Sequence, residues 1–532
     1  MDIYGNPFVP GMREWAKIVD DYLENPAQEP IRNVAPKSVD DRPYDVIFIG
    51  GGAAGRFGAA FAKARGGRPL IIDKWPFLGG SCPHEACVPH HVFSDCARQL
   101  DLQRWFSGKL WFPEFDAKKV SVLEIIEMFK KGRGGAHAIM NLQTKDQLGV
   151  EYILGTPATI VDNHTVEAAG ERFTARTLVL ATGARTLLPD IPGLHLKGVY
   201  DFATLLSDLD YEPSRCVIIG GSKVAIEYGS FFQAAGIQTT ILTRSPLMAT
   251  ASLHHVDDDL REYVVEGMRV RGIEILEGVE PLEVLGNGPG GSGASPGNKA
   301  TGVEFRNAAG EVEIRECDFV FVATGEQAQS QPFVDALGVE IDDRKNIKVD
   351  WTMKTSVEDV YAVGDLIGPP LEMFKARKTG CVAARNIMGE HWEWDYSEYP
   401  DFLHSCYEVT WCGLSEREAR ERYPNVVKIQ MPPEGLDHKD VGMPVGDASM
   451  LFAMRYPELT GFCKMLIDGD SRRIIGAHYV GFGVENAFQY LDELMRRGIT
   501  IDEMGDLNEL FLNDLFIQLC RLRSGQAQLQ DL

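Results

Sequence analysis

The chain has 532 residues and a formal net charge of −24, with 44% apolar and 24% charged residues. This composition is typical of a folded globular protein with several domains, and the acidic balance argues against nucleic acid and membrane surfaces as partners. The amino terminus lacks the basic flank and apolar core of a signal peptide, and no run of about 18 apolar residues occurs, so we expect a cytoplasmic protein. Ten cysteines are too sparse for a disulfide scaffold.

The first strongly patterned segment predicts a dinucleotide site. After a polar extension, residues 1–43, the buried-strand run Tyr44–Ile49 leads into a GxGxxG turn and a helix of small residues, and a second strand ends in an acid. The glycines allow a tight turn and close backbone approach, the helix start faces a pyrophosphate, and the acid takes ribose hydroxyls. The predicted ligand-binding residues are Gly50, Gly52, Gly55 and Asp73.

A pair of cysteines follows this unit. Cys82 and Cys87 are five positions apart, and five residues of regular helix rise roughly 7.5 Å, too far for a disulfide. A disulfide here therefore requires a distorted helix turn, and a strained, accessible disulfide beside a cofactor is of the reactive kind. The alternative is two buried structural thiols. The other cysteines lack metal-ligand spacing, so we expect no metal site.

A second unit of the same kind begins at the strand 215–219. Its turn contains Gly220, Ser222 and Ala225 at the three pattern positions. Its second strand ends in Arg244 without an acid, which favours the 2′-phosphate of NADPH over NADH. The alternative is that Arg244 is a solvated surface residue.

The remaining pattern completes a duplicated architecture. Two Ala-Thr-Gly strand ends, at 181–183 and 323–325, close the two units, and Asp365 follows a further strand where it could bond the ribityl chain of a flavin. From about residue 398 the pattern changes to an α+β module with strands 426–431 and 461–468 and helices 486–497 and 502–510, and we expect it to form a dimer interface. The expected fold class is α/β, with two nested Rossmann-like domains plus a carboxyl-terminal α+β dimerisation domain. The expected boundaries are 44–200 with 330–397 for FAD, 201–329 for NADP and 398–532 for the interface.

Together these motifs resemble the flavin-dependent disulfide oxidoreductases, over nearly all of the chain after residue 43. The resemblance implies that FAD and NADPH are the cofactors, that the enzyme is a homodimer, and that reduced nucleotide reduces the cysteine pair by way of the flavin. It also implies that Cys87 is the thiol next to the flavin and that Cys82 attacks the substrate.

Several positions depart from most of that family. His90 and His91 stand where relatives carry a lysine that partners a glutamate, here Glu227, and Phe511 stands at the position of the histidine base. The segment 82–91 and the nearby segments 52–58, 137–141 and 373–378 resemble a branch of the family that cleaves the thioether 2-ketopropyl-coenzyme M and adds CO2 to the product. An apolar Phe511 would then leave the enolate unprotonated for CO2.

That branch implies further site residues, each with an alternative. Arg56 and Arg377 would clamp the sulfonate, although Arg56 could instead contact an FAD phosphate and Arg377 could form a structural ion pair. His84 and His137 would hold a water or the enolate oxygen, or simply pack. Met140 would form a pocket wall, or fill the core. The segment 513–516 is shorter than in that branch and lacks a histidine.

Two other functions stay open at this point. One is a conventional NADPH-dependent reductase of a disulfide or a metal ion, like mercuric reductase. The other is a flavoprotein without catalytic activity, which the intact cysteine pair argues against.

Overall fold

The computed structural model describes residues 29–34, 42–109, 111–250, 255–287, 298–396, 399–405, 407–431, 461–481 and 484–504, together with a few isolated positions. Within these ranges three larger sheets and two smaller ones organise the chain.

An eight-stranded sheet lies at the centre of the amino-terminal region. Its strands are β1 Ile31–Arg32, β2 Tyr44–Ile49, β3 Pro69–Asp73, β4 Glu151–Leu154, β5 Thr159–Asp162, β6 Thr165–Ala168, β7 Glu171–Leu180 and β18 Val360–Ala362. The order is β1-β4-β3-β2-β7-β6-β5, with β18 beside β7. The central strands pair in parallel. They are continuous apolar runs because parallel strands are covered by other elements on both faces.

A second, fully parallel sheet follows in the middle of the chain. Its strands are β9 Val199–Tyr200, β10 Arg215–Ile219, β11 Gln238–Thr243, β12 Glu274–Glu277 and β16 Phe319–Val322. They are arranged β12-β11-β10-β16-β9. Two antiparallel sheets accompany it, one of β13 Glu280–Gly286, β14 Ala300–Arg306 and β15 Val312–Glu316, the other of β8 Ala184–Thr186 and β17 Glu326–Ala328. Strands β13 and β14 pair antiparallel, and residues 288–297 of the glycine-rich segment between them lie outside the described part of the chain.

The last sheet is antiparallel throughout. Its strands are β19 Asp401–His404, β20 Glu408–Gly413, β21 Val426–Met431, β22 Phe462–Asp468 and β23 Ile474–Gly481, in the order β19-β20-β23-β22-β21. The predicted strands of this module are present. The second predicted helix is described only as far as Met504.

Twelve helices occur in the described ranges: α1 Ala53–Ala64, α2 Ser81–His84, α3 Cys87–Trp105, α4 Val122–Leu142, α5 Phe202–Asp208, α6 Lys223–Ala234, α7 Asp258–Val270, α8 Gln331–Leu337, α9 Met373–Ile387, α10 Glu416–Arg422, α11 Val484–Arg496 and α12 Ile501–Met504. None of these helices has the length and apolarity that a membrane crossing requires.

Two packing contacts position the site. Helices α1 and α9 cross so closely that a Cβ on Gly380 would lie 2.1 Å from the Ala54 carbonyl oxygen, so only glycine fits there. Helix α3 leaves the first unit and packs on the second, where the rings of Phe93 and Phe231 of α6 stack with centroids 4.5 Å apart. The predicted α/β fold class, with two nested dinucleotide units and a carboxyl-terminal module, is confirmed.

Candidate active site

The first glycine turn is built as a cradle. Gly50 has a φ of 109°, and a Cβ on it would lie 2.3 Å from the carbonyl oxygen of Ala181. A Cβ on Gly55 would lie 1.9 Å from the carbonyl oxygen of Gly50. Asp73 ends β3 and accepts hydrogen bonds from the backbone N–H groups of Gly51 and Trp75. The turn thus holds the start of α1 against an open cavity, as a pyrophosphate site requires.

That cavity fits a flavin dinucleotide. Gly50, Gly52, Cys82 and Cys87 line it, and so does Asp365. One carboxylate oxygen of Asp365, Oδ1, is buried without a hydrogen-bond partner, and burial raises the pKa of this carboxyl group. A ribityl hydroxyl would satisfy that oxygen, so the residues present match the group that the sequence predicts.

The two cysteines lie on either side of a helix break. Cys82 lies in α2 and Cys87 begins α3, and the residues between the two helices leave the helical conformation, at a φ of −145° for Glu85 and −115° for Ala86. The structure therefore contains the distortion that the spacing demands. The Sγ atom of Cys82 lies 3.4 Å from the Sδ atom of Met373 at the start of α9.

The two thiols differ in their ionisation. A hydrogen bond between them lowers the pKa of Cys82 and raises that of Cys87. The positive charge of Arg377 further lowers the pKa of Cys82, whereas burial opposes it and also raises the pKa of Cys87. Cys82 is therefore the more readily deprotonated of the two thiols, and the nucleophile of a thiol reaction is the thiolate.

A stacked aromatic wall lies beside Cys82. Phe77 stacks on His137 with centroids 3.9 Å apart and on His84 with centroids 4.5 Å apart, and Trp75 lies 5.2 Å from His84. Burial lowers the pKa of His84 to about 3 and that of His137 to about 2. Nδ1 of His84 and Nε2 of His137 are buried without a partner. Both imidazoles are therefore neutral at physiological pH, and each has a free polar atom.

Arg56 and Arg377 lie side by side at the ring of Phe57. Their guanidinium carbons lie 5.9 Å and 4.9 Å from the ring centroid of Phe57. Burial and the charge of Arg377 lower the pKa of Arg56. Arg56 donates to Thr144 at 2.8 Å and to Gln143 at 3.1 Å, in the π-helical turn that follows α4. Among the described residues neither guanidinium has a carboxylate partner, so the structural ion pair considered for Arg377 is not observed there.

The other predicted site residues lie in different parts of the structure. Met140 packs on the core of the first unit, where a Cβ on Gly79 would lie 2.4 Å from its Sδ atom. Ser222 precedes α6 and donates to the carbonyl oxygen of Ala323 at 3.0 Å. Arg244 is exposed after β11. Phe511 lies outside the described residues.

The remaining positions of the second turn mirror the first. Gly220 has a φ of 131°, and a Cβ on it would lie 2.1 Å from the carbonyl oxygen of Ala323. Ala225 is fully buried in the first turn of α6. This turn therefore has the same close backbone approach as the first.

Sequence reasoning missed a buried charge cluster in a second cavity. Lys223 donates to Glu372 at 2.5 Å and to Asp401 at 2.7 Å, and all three line that cavity. One turn further along α6, Glu227 lies 2.9 Å from Nδ1 of His90, the substitute for the usual lysine. The spacing of Lys223 and Glu227 marks one helix face, but no sequence signal connects Lys223 to partners 149 and 178 residues away.

A cavity lined by the cysteine pair and a second cavity that begins at the other glycine turn share Leu371 and Glu326, and this arrangement is typical of a flavin- and nicotinamide-dependent oxidoreductase. A family model described as pyridine nucleotide-disulphide oxidoreductase matches residues 44–384, and the dimerisation-domain model of that family matches residues 399–508. The chain belongs to this family, whose members use FAD and NAD(P)H.

Known relatives span most of the chain. Mercuric reductase of Staphylococcus aureus is 23% identical over 88% of this chain and 79% of its own length, and dihydrolipoyl dehydrogenase of Zymomonas mobilis is 26% identical over 84% and 90%. The solved structure of RclA from Escherichia coli, an HOCl-induced flavoprotein disulfide reductase, superposes with a TM-score of 0.72 at 19% identity and covers 91% of this chain and 99% of its own. The structural likeness supports the fold, and the family establishes an oxidoreductase that acts on sulfur groups.

Proposed function

We propose that this enzyme cleaves the thioether 2-ketopropyl-coenzyme M with electrons from NADPH and carboxylates the product to acetoacetate. The observation that carries the proposal is the stacked wall beside Cys82, where His84 and His137 are kept neutral by burial. A conventional reductase needs an acid near its thiols to protonate the leaving group, whereas a carboxylase must withhold one.

The proposed steps use the two cysteines in turn. The Cys82 thiolate attacks the thioether sulfur and forms a mixed disulfide, while the carbon–sulfur bond breaks and its electron pair leaves as the enolate of acetone. The enolate carbon then bonds to CO2 and gives acetoacetate. Cys87 attacks the sulfur of Cys82, which re-forms the Cys82–Cys87 disulfide and releases coenzyme M as a thiol that takes up the proton of Cys87. FAD, when bound, supplies the electron pair that reduces this disulfide again.

The two arginines explain how such a substrate is held. A sulfonate is a permanent anion with several oxygens, and guanidinium groups match oxyanions in charge and geometry. Arg56 is fixed by Gln143 and Thr144, so little conformational freedom is lost when it binds an anion. Because Arg377 also affects the charge of Cys82, a sulfonate bound there would lie close to the reacting sulfur.

The free nitrogens of the wall have a matching role. A neutral imidazole N–H of His84 or His137 could donate a hydrogen bond, directly or through a water, to the enolate oxygen without transferring its proton. Phe511, at the position of the family's histidine base, would add no proton donor.

A reductase of Hg(II) or of a disulfide is the second candidate. Mercuric reductases are among the relatives, and the contact between Cys82 and Met373 places thiol and thioether sulfurs 3.4 Å apart. Soft sulfur ligands of this kind suit a soft metal ion.

Two further features belong to the same proposal. The exposed Arg244 and the absence of an acid at the end of β11 favour NADPH. The match of residues 399–508 to a dimerisation domain supports a homodimer.

Incubation with NADPH, 2-ketopropyl-coenzyme M and labelled bicarbonate tests the proposal. We expect labelled acetoacetate and consumption of one NADPH per product. A thioether with an ethyl group in place of the ethanesulfonate is the matched control and should react poorly. Formation of acetone alone would refute the carboxylation, and turnover only with Hg(II), oxidised glutathione or lipoamide would replace the carboxylase with the second candidate.

A further inference from the structure

The buried cluster of Lys223, Glu372 and Asp401 has no part in the steps above. Each residue comes from a different region: Lys223 begins α6 of the second unit, Glu372 precedes α9 of the first unit, and Asp401 begins β19. Their side chains are 17%, 18% and 4% exposed. A single ammonium therefore joins two carboxyl groups and three regions of the chain.

The cluster lies in the cavity where the nicotinamide end of the dinucleotide would bind. This cavity begins at the second glycine turn, next to Ser222, and shares Leu371 and Glu326 with the flavin cavity. Two rings that exchange a hydride must meet where the two cavities join. Lys223, Glu372 and Asp401 line the cavity on the approach to that junction.

Lys223, Glu372 and Asp401 differ in how burial and their neighbours shift their pKa values. Although burial alone would lower the pKa of Lys223, Asp401 and Glu372 raise it, so the amine stays charged. Burial raises the pKa of Glu372 to about 8 against the opposing charge of Lys223, and burial also raises the pKa of Asp401. At neutral pH the ammonium of Lys223 thus faces a Glu372 carboxyl group that still holds its proton, with the Asp401 carboxyl group beside it.

Other ionisable groups face the cluster. Glu227 lies one turn further along α6, Tyr399 and His404 come from the region of β19, and Glu326 comes from β17. Nδ1 of His90 lies within hydrogen-bond distance of Glu227. Lys223 is the one cation among the residues that line this cavity in the described part of the chain.

We infer that Lys223 offsets the negative charge of the acidic groups in this cavity and so prevents the cavity from binding the positively charged oxidised nicotinamide ring more tightly than the neutral reduced ring. The ring changes its charge by one unit on hydride transfer, and a fixed ammonium in a partly buried cavity acts on that difference. The consequence is faster release of the oxidised nucleotide. Lys223 is a positioning residue for the nucleotide, and the inference is independent of the sulfur substrate.

Binding measurements on the oxidised, FAD-loaded enzyme test this inference. The two probes are NADP⁺ and 1,4,5,6-tetrahydro-NADP, whose ring is neutral and donates no hydride. In Lys223→Met we expect the ratio of the dissociation constants, NADP⁺ over tetrahydro-NADP, to fall roughly 10-fold, whereas Lys223→Arg should keep the wild-type ratio. A purely structural role would change both dissociation constants alike. An unchanged ratio in Lys223→Met, or an equal fall in Lys223→Arg, would overturn the inference.

A second measurement avoids the loss of Lys223, which joins three regions. In the wild type, the cluster loses its proton and becomes negative as the pH rises through about 8, the pKa of Glu372. The ratio should therefore fall over that range, and Glu372→Gln should reduce the fall to the part that Glu326 contributes, since burial raises the pKa of Glu326 to about 8 as well. A ratio in the wild type that does not change with pH would contradict the inference. Failure to form acetoacetate, by contrast, would refute the proposed carboxylation and leave this test intact.

Discussion

The wall beside Cys82 and the cavity around Lys223 are both buried, yet they hold charge in opposite ways. In the wall, burial lowers the pKa of His84 to about 3, and the nearby arginines add to this effect. In the cavity, Lys223 keeps its charge because two carboxylates lie within hydrogen-bond distance. The difference shows that burial alone does not decide the charge of a group, since the available partners do.

This contrast suggests different roles for the two sides of the site, which are the cavity around Lys223 (the charged side) and the wall beside Cys82 (the uncharged side). In the proposed mechanism the nucleotide would change its charge in the cavity around Lys223, and the carbanion would form next to the uncharged wall. Cys82 and Cys87 lie between them, at the helix break that joins α2 to α3. A change in protonation or charge on either side should impair the reaction. Variants on each side therefore test whether the cavity and the wall have separate roles.

Replacement of Cys87 should have the largest effect on turnover. Cys87→Ala leaves Cys82 without a partner to resolve the mixed disulfide, so we expect at least a ~10³-fold loss of turnover. The measurement is NADPH oxidation with the thioether substrate, alongside the flavin spectrum to show that FAD is retained. Cys96→Ala is the matched control, since Cys96 lies in the same helix and outside the cavity. Turnover within tenfold of the wild type would show that Cys87 does not resolve an intermediate.

Loss of the anion clamp should have the next largest effect. Arg377→Ala removes a charge-assisted contact to the sulfonate, so we expect KM for 2-ketopropyl-coenzyme M to rise roughly 10- to 100-fold. The pKa of the Cys82 thiol should rise as well, because Arg377 lowers it. Steady-state kinetics and the pH dependence of alkylation by iodoacetamide measure the two effects.

The control for this variant is the next residue on α9. Lys378 is exposed, and its amine lies 5.6 Å from the ring centroid of Trp394, away from Phe57. Lys378→Ala should therefore change neither quantity. An equal rise of KM for the ethyl thioether in Arg377→Ala would contradict sulfonate binding.

The sequence was sufficient for those parts of the site that depend on local pattern. The glycine turns, the cysteine pair and the strand leading to Asp365 are contiguous motifs, and the break between Cys82 and Cys87 follows from helix geometry. The family comparison then confirmed the fold class and the cofactors.

The parts that sequence reasoning missed depend on long-range packing. Glu372 and Asp401 meet Lys223 only after three regions assemble, and the neutral state of His137 depends on its stack with Phe77, 60 residues away in the chain by position number. No periodicity or spacing carries such information. Met140 also packs against the core of the first unit only after this assembly. Its role as a pocket wall therefore stays a prediction.

A smaller effect should appear in stability. The pKa of Glu372 is raised to about 8 from an ordinary value of 4.5, so the folded state binds a proton that the unfolded state releases between these values. The free energy of unfolding of the wild type should therefore decrease as the pH rises from about 5 to about 8. Glu372→Gln cannot titrate and should decrease less. Urea midpoints of both proteins over this range measure the difference.

The exposed Glu358 provides the control for that series. Glu358→Gln should follow the wild type at every pH. If the free energy of unfolding of Glu372→Gln has the same pH dependence as that of the wild type, then Glu372 is ionised in the folded protein. The charge assigned to the Lys223 cluster must then be revised.

The last prediction tests the wall of His84 and His137, and it is that the product ratio does not change with pH. The pKa of His84 is about 3 and that of His137 about 2, so neither imidazole gains a proton until the pH falls well below neutrality. The ratio of acetoacetate to acetone should then be constant between about pH 5 and about pH 8. The measurement requires a fixed concentration of dissolved CO2, since bicarbonate and CO2 interconvert over this range. A rise of acetone toward lower pH that disappears in His84→Phe would show that His84 is protonated during turnover, and the wall would then be a proton donor like the acid of an ordinary reductase.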